Sequence, residues 1–515
     1  MAWGGSGGQV DQIQKRSKRK NRKIFAREST RPADLEKINV FSNKDKNNSV
    51  SLVNALVRLE YHESILQDSI RCVLTYTDTG NSTNNQKTGT NCKNTTTAVD
   101  GLPITGSETV HLKVKDRQGS VLDLDMRVNK VTNINSTTVQ SDWQLELCSP
   151  EYLRNEKTHI QECFKGKISQ HVDKLLTTSK YLATKKNIRI EPTGAKNYNF
   201  IGNNNKPFYA INNLCVKAVP QTPQSYGNTA GFFFFETSIA YYFKSIDKLM
   251  AQKPSISIVY TGTPGDFIPK GYNVKALEYT EDISINVQNK LMMGAFTTGC
   301  LTFNQRTCDF KIDYLDAEDQ EKYYELAGEN QNIWNPELSK KGVGFKEAAT
   351  SRLTFLTEDD GTLPDGETTE QQIEESKEKN FDPSRVFNQA IMRYNSMFAA
   401  TSTVTIPGDF SVHAGDIVFL DSPQLKASTK SDEVNKNMGG KYLVSDLAHL
   451  ITPGGTWTKL NLVRDSFGRK GKPTEEEVNK ANVVPLTDTS IPGDYDYKDA
   501  NIVGGQRGGI PLSGV

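Results

Sequence analysis

The chain has 515 residues, with 62 Lys and Arg against 61 Asp and Glu, a formal net charge of +1, and 36% hydrophobic residues. A length of this order implies several domains, each with its own core. Balanced charge excludes a globally polybasic nucleic-acid binder, and the apolar content excludes a wholly disordered chain.

No apolar run approaches the roughly 20 residues that span a bilayer. The opening MAWGGSGGQVDQIQKRSKRK carries a basic cluster with no apolar segment after it, unlike a secretory signal. Cysteines 72, 92, 148, 163, 215, 300 and 308 are odd in number and show no CxxC spacing. They read as free thiols in a reducing compartment, so the sequons at Asn81 and Asn94 mark exposed polar loops. The expectation is a soluble protein made inside a cell.

Residues 1–40 form a basic N-terminal arm. Its cations Lys15, Arg16, Lys18, Arg19, Lys20, Arg22 and Lys23 fall within nine positions, a block that repels itself and stays extended. Such an arm is a solvated tail or a docking element for an acidic protein surface or nucleic acid. Residues 41–148 turn to strands: SLVNALVRLEYHESI, SIRCVLTYTDTG, VHLKVKD and VLDLDMRVNKVTNI, with an Asn/Thr-rich loop at 81–106 and WQLELC closing the set. The period-two alternation and intervening turn signals predict a small tube-like β-barrel or sandwich.

Residues 149–265 read as a mixed α/β domain. Ser149-Pro150-Glu151 opens a helix, and Ile160, Phe164, Ile168, Val172 and Leu175 follow at helical steps, with Gly166 dividing two helices. A short helix runs from Pro207 towards Pro220. GFFFFETSIAYYFKSID reads as a buried hairpin, because four consecutive phenylalanines on an open sheet edge invite aggregation. Strands resume in 266–316, the first part of a second barrel. An acidic inserted subdomain follows at 317–394, with a brief helix at 391–398, and strands return in 395–468, the second part of that barrel. Residues 469–515 read as an extended C-terminal tail.

The strand LEYHESI at 59–65 is echoed by LEYTEDI at 277–283, five of seven letters matching. Both β regions also close on a hairpin whose last strand alternates leucines behind a tryptophan, Trp143 and Trp457. Two copies of one module follow from this. The expected fold is α+β, mainly β: two similar small antiparallel β-barrels separated by a mixed α/β domain, with an inserted subdomain and extended termini. Leu59, Tyr61, Ile65, Leu277, Tyr279, Ile283, Trp143 and Trp457 are the candidate barrel or interface strand residues. Three such chains around one axis present six similar barrels, able to meet a sixfold partner.

YHESILQDSIR, EYLRNEKTHIQECFKGKISQHVDKLL, KPFYAINNL with AGFFFFET, YFKSID and VTIPGDFSVHAGDIVFLDSP resemble the central baseplate hub of contractile-tailed bacteriophages, whose fold the N-terminal part of type VI secretion spike proteins shares. The resemblance covers roughly residues 47–468. It implies a structural virion protein, assembled in the host cytoplasm and located in the tail baseplate. Its homotrimer would form a pseudo-hexameric ring joining the hexameric tail tube to the trimeric cell-puncturing spike. Implied partners are tail tube or tube-initiator proteins, the central spike, baseplate wedge proteins and the tape measure protein. DNA passes the lumen only in transit. The arm, the 81–106 loop, the acidic insertion and the long tail depart from the family pattern.

No catalytic signature, metal motif or cofactor fingerprint stands out, so no cofactor is expected. His413 and His449 sit in strand patterns, and Glu60 and Glu63, three apart on a strand, point to opposite faces and form no acid–base pair; their expected use is hydrogen bonding within the barrel or at an interface. Asp409 and Asp416 beside Gly408 and Gly415 suit turns. Two other functions compete with the non-enzymatic adapter. One is a tail-associated peptidoglycan hydrolase, for which 469–515 is too short and only 317–390 offers room. The other is nucleic-acid binding through the arm, against which pairing of the arm with the acidic 358–378 segment of an adjacent copy is preferred.

Overall fold

The computed structural model of the chain describes residues 31–45, 47–80, 97–194, 197–221, 229–261, 268–269, 271–282, 286–305, 307–329, 352–360, 368–371, 373, 379–381, 383–424 and 434–471. Residues 1–30 of the basic arm, most of the 81–106 loop, Ile283 and the tail beyond residue 471 lie outside these; residues 34–40, read as the end of the arm, belong instead to the strand Asp34–Phe41. Among the described residues no helix is long and apolar enough to cross a membrane, and every cysteine is a free thiol.

Seven strands form the first set: β1 (Asp34–Phe41), β2 (Ser49–Ser51), β3 (Leu56–Ser64), β4 (Arg71–Asp78), β5 (Thr109–Lys115), β6 (Val121–Ser136) and β7 (Ser141–Cys148). Their spatial order is β3-β4-β7-β6-β5-β1-β2, antiparallel throughout. Strict alternation drives this. In β4 and β5 every second side chain is buried, among them Cys72, Leu74, Tyr76, Val110, Leu112 and Val114.

Next come α1 (Pro150–Lys157), α2 (Ile168–Thr177), β8 (Asn187–Ile190), α3 (Pro207–Cys215), the hairpin β9 (Phe232–Glu236) and β10 (Ala240–Ser245), and α4 (Ile246–Met250). Pro150 and Pro207 occupy the first turns of α1 and α3, where a missing N–H costs nothing. Ile160 and Phe164 are not helical as their spacing predicts. Ile160 bridges to Asn205, and Phe164 sits in a two-residue strand against Phe200. Gly166, at φ +122°, ends that stretch before α2 begins. All five apolar residues still share one core. The four phenylalanines of β9 are buried, as their run requires. Phe232 and Phe234 enter the α/β core, while Phe233 and Phe235 pack on the opposite side against Ile246, Ala414 and Ile417.

The second set comprises β11 (Ser257–Val259), β12 (Val274–Lys275) and β13 (Glu278–Asp282), then, after an interruption, four further strands. Within the interruption β14 (Thr297–Phe303), β15 (Phe310–Asp316) and β16 (Arg352–Thr357) pair only with one another, and α5 (Pro383–Ser396) packs on β14 and β15. The sequence reading puts the first two of these strands in the second β region, whereas they form a sheet of their own. The set is completed by β17 (Ala400–Pro407), β18 (Ile417–Asp421), β19 (Gly440–Thr452) and β20 (Gly455–Arg464). Its order is β13-β17-β20-β19-β18-β11-β12.

Position by position this is the order of the first set, with β13 in the place of β3 and β19 in that of β6. The senses agree for the first four pairings. They differ in the last two, where β11 and β12 run parallel to their neighbours. Both sets also carry an extra residue at the same point of the closing hairpin, after Val128 in β6 and after Val444 in β19. The chain is thus mainly β with helices, as expected. The expected closed barrels are not seen: no pairing among the described residues closes either set, and the two join into one 14-stranded sheet over a common core.

Candidate functional site: the seam between the two strand sets

The join is a single antiparallel pairing. β3 lies along residues 446–451 of β19, with Tyr61 opposite His449 and Leu59 opposite Ile451. Leu59, Tyr61 and Ile65 are all buried, and the Tyr61 ring stacks on His449 at 5.8 Å between centroids. Phe410 meets the same imidazole edge-on at 4.9 Å, and its Nδ1 lies 2.9 Å from Thr458 Oγ1. Burial holds the His449 pKa down at about 4, so the ring stays neutral in the seam.

Glu63 is the polar anchor. Its carboxylate accepts hydrogen bonds from Tyr61 Oη (2.7 Å), Ser238 N (2.8 Å) and Ala414 N (2.9 Å), and faces His413 Nδ1 at 3.3 Å. One side chain therefore ties β3 to the β9–β10 turn and to the turn before β18. Burial alone would raise its pKa, yet the His413 imidazole and these donors outweigh burial and hold it at about 2. Glu60, on the opposite face, is half-buried beside Arg58.

Glu236 does a matching job from the end of β9, two residues before Ser238. It accepts from Ile70 N (3.0 Å), Ser149 and Lys186. Further out, the fully buried Arg393 of α5 donates to Asp465 (2.5 Å), Asp247 (3.3 Å) and Glu325 O (2.7 Å), fastening the interruption to β20 and α4.

Ser238, His413 and Glu63 are the residue types of a hydrolytic triad, but their geometry is different. Ser238 Oγ (3.5 Å) and Glu63 both approach the same ring nitrogen, Nδ1, so no proton can be relayed across the imidazole from one to the other. The set is a clamp. Asp409 and Asp416 likewise cap their own turn, accepting from Ser411 N and His413 N. Among the described residues no group of three His, Cys, Asp or Glu could hold a metal ion.

The remaining candidates fall unevenly. Tyr279 is half-buried and packs on the core, whereas Leu277 lies just outside β13, 44% exposed, with its N–H donated to Thr405 O. Trp143 packs on the core; Trp457 lies on the opposite face of its strand, one place out of step. The LEY echo is itself out of step. Leu59 faces Leu74, but the residue facing the equivalent Val404 is Tyr279, two positions further on. A shift of two keeps the same face inward, so the strands correspond although the letters do not superpose. The basic arm residues Lys15 to Lys23 and Ile283 are outside the described residues. Glu63 makes interface hydrogen bonds of the kind the sequence reading expects of it, whereas Glu236 and Arg393 do not stand out, because nothing local distinguishes a buried charge from a solvated one.

No protein-family model and no curated protein matches the chain. Solved structures to which it is similar include the tail protein from Neisseria meningitidis MC58, at 8% identity over 86% of this chain and 98% of that one, with a TM-score of 0.47. The 43 kDa tail protein of prophage MuSo2 from Shewanella oneidensis matches at 9% identity over 84% and 98%, with a TM-score of 0.44. An Escherichia coli component of the type VI secretion system, described as structurally similar to the T4 bacteriophage tail proteins gp27 and gp5, matches at 6% identity over 81% and 76%, with a TM-score of 0.38. The first two are described as tail proteins and the third as similar to tail proteins. Identities below 10% and TM-scores below 0.5 assign no function to this chain.

Proposed function

We propose that this chain is a structural, non-catalytic protein of a phage tail or related contractile apparatus, and that it acts as the central baseplate hub. Three copies form a ring in which two β modules per chain, the set β1–β7 and the set of β11–β13 with β17–β20, mimic six. The ring joins a hexameric tail tube to a trimeric spike, contacts wedge proteins at its rim and gives the genome a channel.

The observation that carries this reading is the strand order written twice, each copy with its extra residue at the same point of the closing hairpin. The two copies are already joined edge to edge, so one chain holds one step of a ring. The sequence segments that resemble the hub family run through both copies and the region between them. Native mass spectrometry of the purified chain, alone and with its spike, tests the reading. Trimers are expected; a monomer under both conditions overturns it.

A further inference from the structure

In the second set residues 446–451 of β19, beyond its pairing with β18, would overhang the sheet, but β3 covers that edge. In the first set β5 pairs with β6 only as far as Arg127, and residues 129–136 overhang in the same way with no strand on that edge among the described residues. The consequences are visible in burial. Inward-facing Leu447, His449 and Ile451 are buried, whereas Asn133, the counterpart of His449, is exposed, as are the three residues after it, among them Ile134 at 56%, a second extra residue of β6 between Asn133 and Asn135. β13, the counterpart of β3, likewise has one paired edge, on β17, and one edge with no strand among the described residues.

We propose that the free edge of β13 pairs antiparallel with residues 129–136 of β6 in a second copy of this chain, repeating between chains the join that β3 and β19 make within one. The register follows from the two sets. The extra residues after Val128 and Val444 equate Asn133 with His449, and the partners of β4 and β17 equate Glu281 with Tyr61. Asn133 therefore faces Glu281, and Thr132 faces Asp282. Two observations fit this occupant. Glu281 Oε1 is shielded from solvent and has no hydrogen-bond partner among the described residues, and the Asn133 amide supplies a donor at that position. Lys130, 61% exposed at its side chain, becomes a diagonal neighbour of Asp282, while pairing of β13 with itself would set Glu278 against Asp282. The contact is head-to-tail and so builds a ring or a filament, not an isolated dimer. It rests on the hub reading only for closure at three chains.

Directly opposed strand residues have Cα atoms about 4.5–5.5 Å apart, within disulfide reach. In full-length chain with Cys92, Cys163 and Cys308 replaced by serine, Asn133→Cys and Glu281→Cys are made separately, mixed, and oxidised mildly. A cross-linked pair is expected only in the mixture, and covalent trimer from the double variant. Thr132→Cys with Asp282→Cys, both on outward faces, repeats the test where Glu281→Cys perturbs folding. Trimers by native mass spectrometry with no cross-link from either pair overturn the edge pairing and leave the hub reading standing. Cross-linked chains that run on into open polymers uphold the pairing and overturn closure at three. Cross-linking of the Glu281→Cys chain to itself overturns the pairing.

Discussion

β6 and β19 occupy the same place in two strand sets of the same order, yet one is clothed and the other bare. β19 carries a strand on each side over almost its whole length and buries nearly every inward residue. The second half of β6 carries β7 on one side and nothing described on the other, and its last four residues are exposed on both faces. An overhanging strand with open N–H and C=O groups is a template for another chain. The difference teaches that each set has one edge paired within the molecule and one left open among the described residues: β3 and β19 cover each other, whereas β13 and the second half of β6 carry no such partner.

The largest contrast is expected in hydrogen exchange. In the isolated chain the amides of residues 129–136 that point away from β7 should exchange almost freely, while those of 446–451 should be among the slowest, as befits a core strand. Assembly should protect the former and leave the latter unchanged. Rapid exchange in both segments of the isolated chain would mean that the internal seam is not formed.

Next in size is the comparison of the two carboxylates. Glu63→Ala strips the acceptor from Ser238 N, Ala414 N and Tyr61 and leaves His413 without its partner. The expected loss is about 3–5 kcal/mol in denaturant unfolding. Glu281→Ala, half-buried with one oxygen unpaired, should change the stability of the isolated chain by less than about 1 kcal/mol. Equal effects at the two positions would erase the distinction between the closed seam and the open edge.

Of the two edges, acid should act on the closed seam. His449 has its pKa lowered from 6.5 to about 4, so between those values the unfolded chain takes a proton that the folded chain refuses. Its contribution is complete above pH 6.5 and falls as pH drops towards 4. Glu63, lowered from 4.5 to about 2, adds a second loss as pH falls through that window. His449→Gln should flatten the first slope in pH-dependent unfolding, whereas Asn133, its counterpart, has no charge to lose. The smallest effect belongs to the pair of exposed Arg58 and half-buried Glu60 on the outer face of β3. Arg58→Ala should cost no more than about 1 kcal/mol, checked by the same unfolding assay.

Much of the β framework was legible because its strands alternate. β4, β5 and the first half of β6 announce one inward face, and the two closing hairpins share a leucine pattern. The doubled strand order was reached through an echo that does not superpose. LEYHESI and LEYTEDI correspond as strands but two residues out of step, which period-two burial tolerates. Trp143 and Trp457 misled for the opposite reason, since a shift of one turns a side chain to the other face. The separate sheet of β14, β15 and β16 was hidden because its strands carry the same alternation as their neighbours, and only long-range pairing assigns a strand to a sheet. For Glu63 a hydrogen-bonding role was legible but its partners were not, because Ser238 and Ala414, its backbone donors, are 175 and 351 positions away.

The most direct measurement is the symmetry of the assembled particle, from class averages of purified protein viewed down the axis. A threefold ring with six similar lobes is expected, consecutive lobes joined alternately by the β3–β19 seam and by β13 on β6. A twofold dimer, or a threefold ring whose lobes do not fall on one circle, would contradict it.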